Sequence, residues 1–418
     1  MVSQSIYFGK NLCGTIIVMP EIFISHASLY EPAWVDESGG LVRGHDEDTV
    51  TLGVAAALPI VRSGVEIKSI YLVSSKPVYL DGSSEAVLNG ALGLTNCPVF
   101  ELVGSEAVLL TVIGRAEVGD LIIAVENGKN AFSGAVFIDD SNGVAVQLLV
   151  NKVGSLPVVV HKSGESRTRD YGDSRLQRDV GTIPLINHLK DSVSSMGSSL
   201  TFLTGIDQSL VKKFGVDSEI SNKRCSVGVP APIQAVMDCI LLGIRCNIGA
   251  ISKANGSVIS VSQVSKVKTY TSSTKRKTIR VDKIIDEKSL PISLAAYSRS
   301  FSSKVGRFAK KCSCGDLSFP PKLLCGNCGD SAGGSIVSLG YDAEIYTMTK
   351  ICVDVPGKES PYVVAVVDTG SGVKELVSVT ELSGQPISIG SRGTLVLRVI
   401  AEREGIPDYG YSFRLGED

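Results

Sequence analysis

The chain has 418 residues, 44% hydrophobic and 20% charged, a balance that excludes a mainly disordered polypeptide. Its 41 basic and 43 acidic residues leave a net charge of −2, so no global field draws it to nucleic acid or an anionic membrane. Aromatic residues are 6%, too few for a base-stacking surface. Length alone predicts roughly two to three domains. No apolar run reaches the ~18 residues of a membrane-spanning helix. The best stretch, 107–125, is broken by Arg115, Glu117 and Asp120. MVSQSIYFGKNLCGTIIVMP at the start lacks the basic n-region, clean apolar run and cleavage site of a secretory leader, which predicts a cytoplasmic protein. Four of the ten cysteines cluster between 312 and 328. Cys13, Cys97, Cys225, Cys239, Cys246 and Cys352 are scattered among apolar neighbours and read as reduced core thiols.

Residues 1–262 alternate strand-like and helix-like segments. IYLVSS (70–75), LIIAVE (121–126), GAVFID (134–139) and VAVQLLV (144–150) read as buried strands. DTVTLGVAAALPIV (48–61), SSEAVLNGALG (83–93), EAVLLTVIGRA (106–116) and APIQAVMDCILLG (231–243) read as helices. Ser83 is the expected N-cap and Gly93 the C-cap of the second, and Pro232 and Gly243 bracket the last. This alternation predicts an α/β layered domain. His45-Asp46-Glu47-Asp48 reads as the acidic first turn of a helix rather than a metal site, and Asp139-Asp140 as a turn. SGESRTRDYGDSRLQRD (163–179) reads as a solvated charged loop; its Arg167, Arg169, Arg175 and Arg178 could alternatively meet CoA phosphates or an acidic partner.

Residues 263–300 read as a connector. Seven basic residues between Lys266 and Lys283 fit a solvated edge, with a phosphate-facing patch as the alternative. The segment 301–334 holds C-x-C, ten residues and C-x-x-C: Cys312, Cys314, Cys325 and Cys328. Two close thiolate pairs can surround one tetrahedral zinc, and four cysteines leave no open position, which makes the predicted site structural. Gly315 and Gly329 would let turn N–H groups point at the sulfurs. A redox pair and unligated core thiols are the alternatives; the first normally opens a helix beside a βαβ unit, which is not the context here. In 335–418, SIVSLG, AEIYTMTKICVDV, YVVAVVDT, KELVSVTEL and GTLVLRVIAERE predict five strands of a small antiparallel barrel, such as an OB-fold.

CGDLSFPPKLLCGNCG, GYDAEIYTMTKI, PYVVAVVD and YGYSFR, in that order, resemble the acyl-CoA-associated zinc-ribbon/OB-fold family over roughly 295–418. The resemblance implies a rubredoxin-like ribbon before an OB-fold, acting as an accessory partner of thiolases, hydroxymethylglutaryl-CoA synthases and related aldolases. Residues 1–262 are similar to the thiolase superfamily, nearest the archaeal-type hydroxymethylglutaryl-CoA synthases, through HDEDTVTLGVAAA, VEIKSIYLVSSKPVY and VFELVGSEAVLLTVIGRA.

That superfamily's chemistry needs a cysteine nucleophile at a helix start, a histidine and a further polar group. The resemblance places Glu106 at the nucleophile position, and a carboxylate there cannot form the acyl-thioester. No histidine occurs in 201–216; His26, His45, His161 and His188 lie elsewhere. In the segment similar to the family's G-N-[ST] turn, Val229 stands for the asparagine. Cys97 opens the preceding strand and reads as a core or loop thiol. Glu106 reads as a helix-start or partner-facing carboxylate, with mimicry of a malonyl group as the alternative. The expectation is a truncated, degenerate thiolase-like domain without catalytic residues, fused to a zinc-ribbon/OB-fold unit. It would serve as an accessory subunit of an acyl-CoA-processing complex with an intact thiolase-superfamily enzyme, sharing a CoA thioester in a hetero-oligomer, without nucleic acid or membrane. An active thiolase or hydroxymethylglutaryl-CoA synthase using non-standard residues is the second reading, and a nucleic-acid-binding OB-fold the third.

Overall fold

The computed structural model describes residues 21–416, apart from 80–81, 129, 154–157, 161–165, 169–181, 207–210, 212–215, 217–226, 253–254, 264, 273–275, 279–292, 332, 354–359, 383–384 and 404–405. The first half runs β1 (Ile22–Tyr30), β2 (Trp34–Val35), β3 (Leu41–Val42), α1 (Thr49–Val61), β4 (Ser69–Ser74), α2 (Glu85–Leu92), β5 (Val99–Val103), α3 (Glu106–Ile113), β6 (Asp120–Glu126), β7 (Phe132–Asp139) and β8 (Val144–Val153). Then come β9 (Val158–Val160), β10 (Ser166–Thr168), α4 (Thr182–Ser195), β11 (Phe202–Thr204), α5 (Ala231–Leu242), β12 (Cys246–Ile251), β13 (Asn255–Gln263), β14 (Lys268–Ser272) and β15 (Lys277–Thr278). The remainder is α6 (Leu294–Lys304), β16 (Phe308–Lys311), β17 (Leu317–Ser318), β18 (Ser335–Ser338), β19 (Asp342–Ile351), β20 (Tyr362–Asp368), β21 (Lys374–Thr380), β22 (Arg392–Arg403) and β23 (Ile406–Leu415).

One large mixed sheet has the order β11-β12-β13-β8-β1-β7-β6-β4-β5, with β14 parallel to β1. Its β4–β5 and β4–β6 pairs are parallel, and α2 and α3 supply the crossovers that parallel pairing requires. Strands β6 and β7 are covered on both faces, which is why LIIAV and GAVFI read as unbroken apolar runs. On one face α3 and α5 close a core of Leu109, Ile122, Ile233 and Ile248. Gly134 permits that closure, since a Cβ there would stand 3.1 Å from both Ile233 and Leu29.

The other face carries α1 and α2. Asp48 caps α1 reciprocally: its Oδ1 accepts the Thr51 N–H at 2.8 Å, and Thr51 Oγ1 accepts the Asp48 N–H at 2.7 Å. This helix has no polar face, because its side away from the sheet packs against β22. Strands β19-β20-β21-β23-β22 close into a barrel. A single core then runs from Leu52, Ile60 and Leu72 into Ile345, Leu397 and Phe413.

Polar contacts fix this seam. Arg398 on β22 is 1% exposed and meets Glu47 at 3.2 Å, Asp46 at 3.6 Å and Glu381. The Tyr30 hydroxyl donates to Glu47 at 2.6 Å, and burial keeps that phenol neutral by pushing its pKa far up. The Tyr409 hydroxyl bonds Asp48 and lies 2.8 Å from the Tyr79 hydroxyl. Lys304 of α6 holds Asp408 at 2.6 Å, and Arg307 grips Glu375 through both nitrogens at 2.7 and 2.9 Å.

Several expectations need correction. SIVS (335–338) does not enter the barrel: β18 pairs with β16, where Ala309, Val337 and Leu339 share a small core. The fifth barrel strand is 406–415, and the closing β21–β23 pair is parallel, so the barrel is not wholly antiparallel. Within the expected connector, residues 268–272 form a strand of the large sheet. The 45–48 run is not a first helical turn; only Asp48 serves α1, as its cap, while Asp46 and Glu47 face the barrel. Cys239 and Cys246 are not reduced thiols but a disulfide, their Cα atoms 6.6 Å apart. Gly243, at φ 64°, ends α5 and turns the chain straight into β12, which brings the two together. Cys352 is exposed rather than in the core. The N-cap of α2 is Ser84, whose side chain makes no capping bond. Cys13, Cys225, His161 and most of the 163–179 loop lie outside the described residues.

Removing Arg398 would leave Glu47 and Glu381 buried without their cation. Arg398→Met is expected to cost about 3–5 kcal/mol in urea denaturation at neutral pH. A loss below about 1 kcal/mol would show that the seam does not depend on this cation.

Candidate functional site

Two places carry the chemistry-bearing residues. The first is the cysteine cluster beyond β16. Cys312 follows that strand, and its carbonyl accepts the Gly315 N–H at 2.9 Å while its N–H donates to Asp316 at 2.8 Å. The second knuckle repeats the pattern: the Gly329 N–H reaches the Cys325 carbonyl at 3.0 Å, and the Cys325 N–H reaches Asp330 at 2.9 Å. Both glycines have positive φ, 93° and 73°, as such turns need. Their N–H groups therefore bond cysteine carbonyls, not sulfurs as expected from the sequence. Other backbone N–H groups face the sulfurs: that of Cys314 bonds Cys312, and that of Asn327 stands 3.4 Å from Cys325.

The turns bring Cys312, Cys314, Cys325 and Cys328 together, all four sulfurs within 4.8 Å of one another. Cys312–Cys328 and Cys314–Cys325 are each 3.6 Å apart. Sulfurs ~2.3 Å from a tetrahedral zinc stand ~3.8 Å from each other, so both the donor set and its spacing fit that ion. Hydrogen bonding, chiefly from the Cys314 backbone, draws the Cys312 thiol down to about 7. Against their own backbone hydrogen bonds, the neighbouring thiols push Cys325 up and Cys328 up to about 12, since close thiolates repel without a cation between them. Cys312 is buried, Cys325 half-buried and the other two exposed. The four cysteines form a cluster able to hold a metal ion.

The second place is the start of α3. Glu106 is 7% exposed, and its Oε1 accepts the Gly228 N–H at 2.7 Å. One residue on, the Val229 N–H faces Glu126 Oε2 at 3.4 Å. Glu126 Oε1 is held in turn by the Ser75 hydroxyl at 2.9 Å and the Gly128 N–H at 3.1 Å. Two carboxylates thus pin the turn that leads into α5. Gly205, φ 84°, passes alongside; a Cβ there would lie 2.0 Å from the Ile251 carbonyl and 3.3 Å from Glu106 Oε2. Burial pushes the Glu106 carboxyl above its ordinary range, against its backbone hydrogen bonds.

Among the described residues, the cysteines and histidines expected of a nucleophilic site lie elsewhere. Cys97 belongs to the core on the α1 and α2 face, whereas α3 packs on the other, and burial pushes its thiol up. His26 is buried on β1 between Phe137 and Tyr270, His45 is exposed ahead of α1, and His188 lies on α4. Sequence reasoning found Glu106 and the turn before α5 that holds Val229, but not Glu126 or the bonds by which both carboxylates hold that turn. A glutamate closing an apolar strand run, LIIAVE, was the available signal.

A raised folded-state pKa means that the folded chain holds the Glu106 proton over a range where the unfolded chain has released it. Stability from this group is present at low pH and falls as pH rises from about 4.5 through the folded value. Glutamine keeps an oxygen for the Gly228 N–H and cannot ionise. Glu106→Gln is therefore expected to gain on the wild type as pH rises, with no such gain below pH ~4.5. Urea denaturation across pH 4–8 checks this; a constant difference would exclude the buried-carboxylate account.

No family model matches the chain. A DUF35 domain-containing scaffold protein of Pyrococcus furiosus is 30% identical over 128 residues, 30% of this chain and 93% of the relative. Another, from Methanocaldococcus jannaschii, is 26% identical over 105 residues, 24% of this chain and 74% of that protein. Among solved structures, Xanthomonas campestris OleA E117Q is 13% identical, covers 60% of this chain and 100% of its own, and gives a TM-score of 0.47. Through the 128-residue stretch, the chain belongs to the DUF35 domain-containing scaffold protein family.

Proposed function

We propose that the chain is a non-catalytic accessory subunit of an acyl-CoA-processing complex. Its first part, about 1–262, is a degenerate thiolase-like layer. Beyond β14, which returns to the large sheet, come α6, a rubredoxin-like zinc ribbon built on β16–β18, and an OB-fold formed by β19–β23. The partner is an intact thiolase-superfamily enzyme, and a CoA thioester is the ligand the two share. The observation that carries this reading is Glu106: at the position that the resemblance assigns to a nucleophile, a buried carboxylate is tied to the Gly228 N–H. A carboxylate so held does not take and pass on an acyl group as a thiolate does. The relatives' description as scaffold proteins supports the same reading.

In this reading zinc sits on Cys312, Cys314, Cys325 and Cys328. It crosslinks the two knuckles and leaves no open position for chemistry. Metal analysis of the purified chain is expected to give about one zinc per chain. Cys325→Ser is expected to release the ion and loosen the segment around it, because binding energy at such a site is folding energy. A wild-type chain free of zinc after metal-replete purification would remove the assignment.

Incubation with acetyl-CoA is expected to leave no acyl group on any cysteine, as intact-mass spectrometry would show. Affinity purification from native extract is expected to recover an intact thiolase-superfamily enzyme that turns over faster with this chain than alone. A stable acyl adduct on Cys97 would favour an enzyme instead, and a fully active partner that ignores the chain would end the accessory reading.

A further inference from the structure

Along the seam, α1 and β22 do not close completely. A cleft of about 150 Å³ remains between them. Val54 and Leu58 of α1 and Val396 of β22 give it apolar walls, with the Ser272 and Thr394 hydroxyls also lining it. Its charged lining is of one sign: Arg62, Arg398 and Arg414, with no carboxylate among the described residues that line it. Arg398 is taken up by Glu47 and Glu381. The other two are less engaged. Arg414 stands 4.0 Å from Glu381, the limit of an ion pair. Arg62 lies 4.2 Å over the Tyr341 ring, with no carboxylate partner among the described residues. Arginine suits a carboxylate head through its paired donors, and the apolar walls suit a hydrocarbon tail rather than a bare inorganic ion.

We propose that this cleft binds a small organic anion, a carboxylate bearing a short apolar tail. The head faces Arg62 and Arg414, and the tail lies between α1 and β22. Size limits the ligand, since a cavity of ~150 Å³ takes a molecule of about six non-hydrogen atoms, as butyrate is. Because the walls come from both halves of the chain, occupancy would strengthen their union and stabilise the fold by mass action. The site is independent of Glu106 and of the cysteine cluster, so it stands or falls apart from the function proposed above.

The test titrates the full-length chain with butyrate at neutral pH, by calorimetry and by thermal unfolding, beside butylammonium and inorganic phosphate. Saturable binding of one butyrate per chain, with a rise in unfolding temperature, is expected. Arg62→Gln and Arg414→Gln are each expected to weaken it roughly ten-fold. Arg62 is exposed, so its variant should fold as the wild type does. Butylammonium is expected not to bind, and phosphate to bind more weakly than butyrate. The proposal is overturned if butyrate shows no saturation by ~100 mM, if Arg62→Gln binds it unchanged, or if butylammonium or phosphate binds as tightly.

Discussion

Arg398 is a cation buried in the middle of the molecule, and the rest of the architecture follows from having to neutralise it. Moving such an ion out of water costs on the order of 20 kcal/mol in a fully apolar medium, so the barrel cannot form that contact without acids on the opposing surface. Glu47 and Asp46 supply them from the segment before α1, and Glu381 supplies a third from the end of β21. Asp48, next in the chain, both caps α1 and binds Tyr409. One four-residue stretch thus starts a helix of the α/β layer and anchors the barrel to it.

This coupling changes what the parts can do alone. The apolar outer side of α1 is covered only because the barrel is there, and Leu52 and Leu397 belong to one core. Cutting the chain near residue 300 would expose that core and strip Glu47 of its cation. An effect of such a truncation on a partner would report unfolding as readily as a lost interface. Point changes at exposed positions are the cleaner probes of any assembly.

The parts legible in the sequence are those fixed by local spacing or by burial on both faces. Strands β6 and β7 announced themselves as continuous apolar runs, and Gly93 and Gly243 marked helix ends because only a left-handed residue closes them cheaply. The cysteine cluster was legible for the same reason, since each pair sits within one turn. Long-range pairings were not. Arg398 follows Leu395 and Leu397 in a period-2 pattern that places it outside the barrel, where an arginine normally meets water; only the docked α1 makes that outside an interior. The Glu106–Gly228 bond spans 122 residues, and neither residue type signals it. The Cys239–Cys246 disulfide escaped because apolar neighbours suit a reduced thiol equally well.

With the barrel fixed over α1, the surfaces left for a partner are limited. Among the described residues, strand β5 ends the large sheet with one ladder edge unpaired, and its Phe100 and Val103 are 47% and 59% exposed. An edge that is both unpaired and apolar is a surface that proteins normally cover. The cysteine knuckles present Leu323 and Leu324 at 80% and 57% exposure, and there the chain is held by turns rather than by a core. Crosslinking by a metal would supply the stiffness that the few buried residues Ala309, Leu339 and Val373 cannot. Both surfaces therefore belong to one body whose internal geometry is set at the Arg398 seam, and a partner touching both would find their relative positions already fixed.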